Sequence, residues 1–241
     1  MSKKYKNLKC AYCCVNMATT KDHVIARGFI LKEHRNNLPS APACKQCNHK
    51  KSQLEHYLIG VVGLGSRHSE SSKTISELVR GNLLNNLKLK RELADGITQY
   101  IYSQDNKNWK IGMKVPINIE KVELLFEFII KGLCWNFWGA YLPEHNNFIR
   151  ASYMNSAGIR LFENLLAQNG SRLNLNLGRE AFLCQAVRSN SDPELTVWKM
   201  SLYGAEVAGD PRDLNCKASS IYGISVPKSF SFSVDLQSMF Q

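Results

Sequence analysis

Residues 10–13 read Cys-Ala-Tyr-Cys, residues 44–47 read Cys-Lys-Gln-Cys, and the dipeptide Asp22-His23 lies between them. A Cys-x-x-Cys step lets two thiolates reach one ion from a tight turn, so two such steps supply the four sulfurs of a tetrahedral zinc site. A site of this kind is closed, and its role is structural. The spacing therefore predicts a small N-terminal unit built around one zinc ion, with Cys10, Cys13, Cys44 and Cys47 as ligands.

Four further cysteines lie outside these steps. Cys14 is the alternative first-step ligand, but the symmetry of two Cys-x-x-Cys steps favours Cys13. Cys134, Cys184 and Cys216 have apolar or strand-like neighbours and are expected to pack in the core. The charged N-terminal residues do not form a secretory signal, so we expect a cytoplasmic protein without disulfides.

The chain is basic, with 31 lysines and arginines against 20 acidic residues and a net charge of +11. Residues 1–60 hold eleven of the basic residues and three acidic ones, a net charge of +8. A local excess of this size favours a polyanionic partner, although a solvated basic surface is the alternative. The most apolar segment, 122–142, carries three charged residues, so no membrane span is predicted.

The pattern of apolar residues predicts an α+β protein of two domains. Residues 1–60 form the zinc unit, the Gly- and Ser-rich segment 58–72 is a linker, and 73–241 form a mixed α+β domain. The predicted helices of this domain are 74–94, 119–140 and 155–168, and the predicted strands are 97–102, 109–115, 181–187, 195–203 and 219–226. The helix 119–140 is apolar around most of its circumference, which predicts burial of Phe126, Ile129, Ile130, Leu133 and Trp138.

The order of motifs in residues 8–57 resembles the zinc-containing, four-cysteine branch of the HNH, or ββα-metal, endonucleases. The shared order is Cys-x-x-Cys, Asp-His, Asn-Leu and Cys-x-x-Cys-Asn-x-x-Lys. The resemblance implies a small ββα-metal nuclease unit in which a β-hairpin and a helix clasp one catalytic divalent ion. It implies that His23 is the general base, that Asp22 and Asn48 are the ligands of that ion, and that Asn37 braces the loop that carries the histidine.

The chemistry of these residue types fits the implied roles. Hydrolysis of a phosphodiester needs a group that takes the proton of the attacking water and a cation that stabilises the leaving oxygen. A neutral imidazole can do the first, and Mg²⁺ or Mn²⁺ bound by oxygen ligands can do the second. Asn48 could instead cap the following helix, His49 is the alternative ligand, and Asn36 competes with Asn37 for the bracing role.

The resemblance predicts an endonuclease that hydrolyses DNA and is similar to restriction and anti-phage defence nucleases. Lys45, Lys50 and Lys51 flank the start of the predicted helix, where cations can contact the phosphates of a nucleic acid. The rival functions are a non-catalytic zinc module that binds nucleic acid or a protein, and an adaptor whose second domain does the work. The role of the second domain stays open between binding of DNA, a small signal, a protein partner and a second copy of the chain.

Overall fold

The computed structural model is mixed α+β. It describes residues 5, 7–62, 73, 75–103, 108–114, 116–204, 207–208 and 217–230. Among the helices of this part of the chain, none has the length and apolar character needed to cross a bilayer.

The N-terminal part consists of two short strands and a long helix. Strand β1 (Thr20–His23) pairs antiparallel with β2 (Ser40–Ala43), with Asp22 opposite Ala41 and His23 opposite Ser40. The loop 24–39 joins them and contains 3-10 turns at Arg27–Phe29 and Lys32–His34. Helix α1 (Lys45–Val62) follows β2 after a single residue, so the start of the helix is tied to the end of the strand.

Short helices and a β-hairpin precede the central helix. A π-helical turn (Ile75–Val79) leads into α2 (Arg80–Asn85) and α3 (Leu87–Gly96), and α3 begins where the Asn86 side chain accepts a hydrogen bond from Leu89 N. The predicted helix 74–94 is therefore divided into three pieces. Strands β3 (Thr98–Ser103) and β4 (Trp109–Lys114) form the predicted hairpin.

The C-terminal part contains the central helix α4 (Ile119–Trp138) and a five-stranded antiparallel sheet that packs against it. Its order is β5-β11-β8-β7-β6, and a separate pair is formed by β9 and β10. The remaining elements are β5 (Asn147–Ser152), α5 (Ser156–Leu166), β6 (Ser171–Leu177), β7 (Phe182–Arg188), β8 (Thr196–Leu202), β9 (Val207–Ala208), β10 (Lys217–Ala218) and β11 (Ile221–Pro227). The predicted strands 181–187, 195–203 and 219–226 correspond to β7, β8 and β11, whereas β5 and β6 were not predicted.

One apolar core joins the two predicted domains. It contains Tyr12, Val24 and Leu58 from the N-terminal part together with Leu125 and Trp198 from the C-terminal part. The prediction of two bodies joined by a linker at 58–72 is wrong for residues 58–62, since these continue α1 and Leu58 is fully buried. Helix α4 covers the apolar face of α1. Burial of this face keeps residues 58–62 helical although the Gly and Ser content of the segment 58–72 predicts a linker. Residues 63–72 lie outside the described residues.

The core helix was predicted correctly in its main features. Phe126, Ile129, Ile130 and Leu133 are buried, whereas Trp138 is half-buried and packs against Trp198 with ring centroids 5.4 Å apart. The helix ends at Gly139, whose φ of 64° places it in the left-handed region that favours glycine. Cys134 and Cys184 are buried in the core as predicted, and Cys216 lies outside the described residues.

Replacing Leu133 by alanine tests the position of the core. Leu133 is fully buried among residues of both halves of the chain, so Leu133→Ala is expected to lower the free energy of unfolding by about 2 to 5 kcal/mol. Phe137→Ala on the same helix is the control, because Phe137 is 42% exposed and should lose much less. Equal losses in urea denaturation of the two variants would contradict this packing.

Candidate functional site

The four predicted cysteines lie together. The sulfur atoms of Cys10, Cys13, Cys44 and Cys47 are all within 4.8 Å of one another, and those of Cys13 and Cys44 are 4.0 Å apart. Zinc bound tetrahedrally at about 2.3 Å from each thiolate requires sulfurs about 3.8 Å apart, so the cluster fits a zinc ion after a small contraction. The four thiols could therefore hold one zinc ion.

The local backbone explains how the first cysteine pair reaches the second. Cys10 N donates to Asn16 O at 2.8 Å and Cys14 N donates to Cys10 O at 2.9 Å, which closes a tight turn around the pair. Ala11 N donates to Pro42 O at 2.8 Å and so fixes this turn to β2. On the other side, Cys47 N donates to Cys44 Sγ at 3.5 Å at the start of α1. The sulfur cluster thereby joins the turn, β2 and α1.

Cys14 is outside this cluster, as the symmetry of the motif predicts. Its backbone is in the left-handed region, with φ of 58°, and its thiol faces Ala11 O at 3.9 Å. Burial raises the pKa of the Cys14 thiol to about 11, which keeps it protonated at neutral pH. In contrast, the hydrogen bond from Cys47 lowers the pKa of Cys10 to about 5, which favours the thiolate form that binds zinc.

Asp22 lies near the end of β1 and is buried against α1. Its Oδ2 accepts a hydrogen bond from the hydroxyl of Tyr12 and lies 3.0 Å from the ammonium of Lys51. Its Oδ1 accepts no hydrogen bond from any residue that the structure describes. One oxygen of the carboxylate is thus fixed by two donors, and the other is left for a ligand.

His23 is the last residue of β1 and is half-buried. Its main-chain oxygen accepts a hydrogen bond of 2.8 Å from Lys51, and its Nδ1 is buried with no hydrogen-bond partner in the described part of the chain. Burial lowers the pKa of His23, and the nearby cations Lys21 and Arg27 lower it further. The imidazole is therefore neutral at pH 7 and can accept a proton.

Asn48 lies in the first turns of α1, where its backbone N donates to Cys44 O at 3.0 Å. It is inside the helix, so the alternative role of N-cap is excluded. Asn48 lies one turn before Lys51 on the same face of α1, and Lys51 contacts both Asp22 and His23. None of the described residues donates to or accepts from its carboxamide. His49 is turned away, since it is exposed and its Nε2 lies 3.2 Å from Gln53 Nε2.

Two of the predicted roles are wrong in this geometry. Lys51 cannot contact a phosphate backbone, because it is fully buried and its charge is used by Asp22 and Glu55. Asn37 does not brace the histidine loop through its side chain, because it is exposed and has φ of 57° in a turn. Lys45 and Lys50 are exposed, and their contact with nucleic acid stays a prediction.

The loop that follows His23 is braced by residues that the sequence did not single out. Val24 N donates to Pro39 O at 2.9 Å across its two ends, and the hydroxyl of Tyr203 donates to Phe29 O from the end of β8. Likewise, no role was predicted for Tyr12, which lies between the two cysteines of the first pair and donates to Asp22. The i, i+4 spacing of Lys51 and Glu55 was the one signal in the sequence that could have indicated their ion pair.

Removing one zinc ligand tests the cluster. Cys10→Ser, Cys13→Ser, Cys44→Ser or Cys47→Ser is expected to abolish binding of one zinc ion per chain and to unfold the N-terminal part, because structural zinc contributes on the order of 10 kcal/mol. Cys14→Ser is the matched control and should retain the metal. Elemental analysis and thermal unfolding measure both effects. A quadruple serine variant that keeps the native fold would contradict the structural role.

Comparison of the chain with protein-family models, curated proteins and solved structures gives no match. The geometry of these residues and their motif order are therefore the features that bear on function. Both features centre on the same few side chains, namely Asp22, His23 and Asn48 beside the four cysteines.

Proposed function

We propose that this protein is a metal-dependent endonuclease that hydrolyses phosphodiester bonds of DNA. The observation that supports it most is the arrangement of β1 against α1. Asp22 and His23 at the end of β1 contact Lys51, and Asn48 lies one turn away on the same helix face. The element order β1, β2, α1 is the one that the resemblance to the HNH endonucleases implies, with the cysteine cluster at the joint.

In the proposed reaction, Asp22 and Asn48 would hold one Mg²⁺ or Mn²⁺ ion. Each offers an oxygen that no described residue uses, and two protein ligands leave positions for phosphate and water. Such an ion would supply the positive charge that stabilises the leaving oxygen. His23 takes the proton from the attacking water, which its lowered pKa allows at neutral pH. A zinc ion in the cysteine cluster would have a structural role, and Cys47 would then fix the position of the adjacent Asn48.

The charge around the site supports a nucleic acid as the substrate. Lys21 and Arg27 are exposed and lie near His23, and Lys45 and Lys50 are exposed on the first turns of α1. These four residues replace the predicted set of Lys45, Lys50 and Lys51. Cations near the proposed base can contact the phosphates next to the cleaved bond. By its layout the protein would belong with restriction and anti-phage defence nucleases, which act on DNA in the cytoplasm.

A non-catalytic zinc module that binds nucleic acid or a protein is the second candidate. The observation that favours it is the engagement of Asp22 by Tyr12 and Lys51, which is a structural role in itself. A module of this kind would bind DNA through its basic surface and leave it intact. Among the described residues, the Nδ1 of His23 and the carboxamide of Asn48 have no hydrogen-bond partner, and a module of this kind gives neither group a role.

His23→Ala separates the two candidates. The variant is expected to bind DNA and zinc normally and to lose nuclease activity by about 10² to 10⁴, the usual effect of losing a positioned proton acceptor. Excess Mn²⁺ should not restore it, because no ion replaces the base. Plasmid nicking with Mg²⁺ or Mn²⁺ measures the effect. Normal cleavage by His23→Ala would exclude the proposed mechanism.

Asn48→Ala tests the ion. It is expected to require more Mn²⁺ for half-maximal activity and to recover part of its activity at high Mn²⁺, because one ligand is lost while the base remains. His49→Ala is the matched control one position along the helix, and its exposed side chain predicts near-normal activity. An inactive His49→Ala together with an active Asn48→Ala would show that His49, and not Asn48, is the ligand of the ion.

Lys21→Ala and Arg27→Ala test the substrate contact. Each is expected to weaken DNA binding equally for all sequences and to reduce the slope of log K against log salt by about one unit, because one phosphate contact is lost. Lys32→Ala is the control, since this exposed lysine lies in the second 3-10 turn of the loop. Unchanged salt slopes in both variants would remove Lys21 and Arg27 from the interface.

A further inference from the structure

The ammonium group of Lys51 is enclosed by three acceptors. It lies 3.0 Å from Asp22 Oδ2, donates to His23 O at 2.8 Å, and forms an ion pair with Glu55 one turn along α1. The side chain has no exposed surface. Three acceptors match the three N–H groups of an ammonium, so no donor is left for a substrate phosphate.

This arrangement fixes the end of β1 relative to α1. A buried ammonium is strongly unfavourable unless its donors are satisfied, so its position is determined by its acceptors. Two of the acceptors belong to Asp22 and His23 on β1, and the third belongs to Glu55 on α1. The same helix carries Asn48 one turn before Lys51. The distance between the two proposed ion ligands therefore depends on this ammonium.

We propose that Lys51 is the positioning residue of the site, which holds Asp22 Oδ2 so that Oδ1 faces the catalytic ion and holds the main chain of His23 beside it. This inference rests on the proposed function. Tyr12 assists, because its hydroxyl donates to the same oxygen of Asp22. The carboxylate then acts as a one-oxygen ligand with a fixed orientation. Residues in this supporting position commonly change metal affinity or activity by about 10- to 100-fold when they are replaced.

A double variant separates orientation from charge. Lys51 contributes one positive charge to the cluster, and Asp22 and Glu55 contribute one negative charge each, so the formal net charge is −1. Lys51→Met combined with Glu55→Gln removes one charge of each sign and leaves the net charge at −1. A change in Mn²⁺ affinity in this variant reports the orientation of Asp22. Glu55→Gln alone gives the effect of the second substitution.

Lys131→Met is the matched control for the loss of a buried ammonium. Lys131 is also buried, but it lies on α4, pairs with Glu144 at 2.6 Å, and forms no ion pair or hydrogen bond with Asp22 or His23 in the described part of the chain. Tyr12→Phe is the second variant, because it removes the other donor to Asp22 Oδ2 and keeps both the ring and Lys51. If the double variant does not fold, Tyr12→Phe still tests whether the donors to Asp22 Oδ2 orient the carboxylate.

The experiment measures Mn²⁺ binding to the zinc-loaded full chain by electron paramagnetic resonance of free Mn²⁺, and plasmid cleavage at saturating Mn²⁺. The folded double variant is expected to bind Mn²⁺ about 10- to 100-fold more weakly and to cleave more slowly even when saturated. Tyr12→Phe should weaken binding in the same direction, and Lys131→Met should match the wild type.

Wild-type Mn²⁺ affinity in the folded double variant would overturn the positioning role of Lys51. Wild-type affinity in Tyr12→Phe would overturn the claim that the donors to Asp22 Oδ2 orient this carboxylate for the ion. A wild type that binds Mn²⁺ but cleaves no nucleic acid would end the proposed function, while the affinities would still test Lys51. A wild type that binds no Mn²⁺ beyond its zinc would overturn both.

Discussion

The structure of the N-terminal part depends on one constraint, the convergence of four cysteine sulfurs on a single point. Cys10 and Cys13 come from a turn attached to β2, and Cys44 and Cys47 come from the start of α1. Two strands of four residues and one helix bury little surface of their own, and an ion bound by the four thiolates would add free energy of folding to that of the core shared with α4. Because Asn48 follows Cys47 directly, the same constraint sets the position of a proposed ligand.

The second support of the site is the apolar core that the two halves of the chain share. Gly132 of α4 lies so close to Val24 that a Cβ would approach its side chain at 2.8 Å, and Asn136 of the same helix donates to Ser40 O at 2.8 Å. Tyr203, at the end of β8, donates to Phe29 O in the loop that follows His23. Helix α4 and Tyr203 thus support the loop and β2.

The sequence predicted what local spacing determines. The cysteine steps, the β3-β4 hairpin and the core helix follow from periodicity and motif, and the structure contains all of them. It did not predict what depends on tertiary contacts. Lys51 reads as one more cation in a basic run, and only the approach of β1 to α1 buries it. Similarly, β6 alternates leucine with polar residues, and its place at the edge of the sheet becomes clear only with β7 beside it.

In the proposed function, the cysteine cluster positions a second, catalytic ion at Asp22 and Asn48. Anomalous diffraction from crystals of the zinc-loaded protein soaked in Mn²⁺ would locate both ions, because the absorption edges of the two metals distinguish them. The predicted result is zinc among the four sulfurs and manganese bound by Asp22 Oδ1 and the Asn48 carboxamide oxygen. Zinc at the cysteines with no manganese at these two residues would contradict the claim.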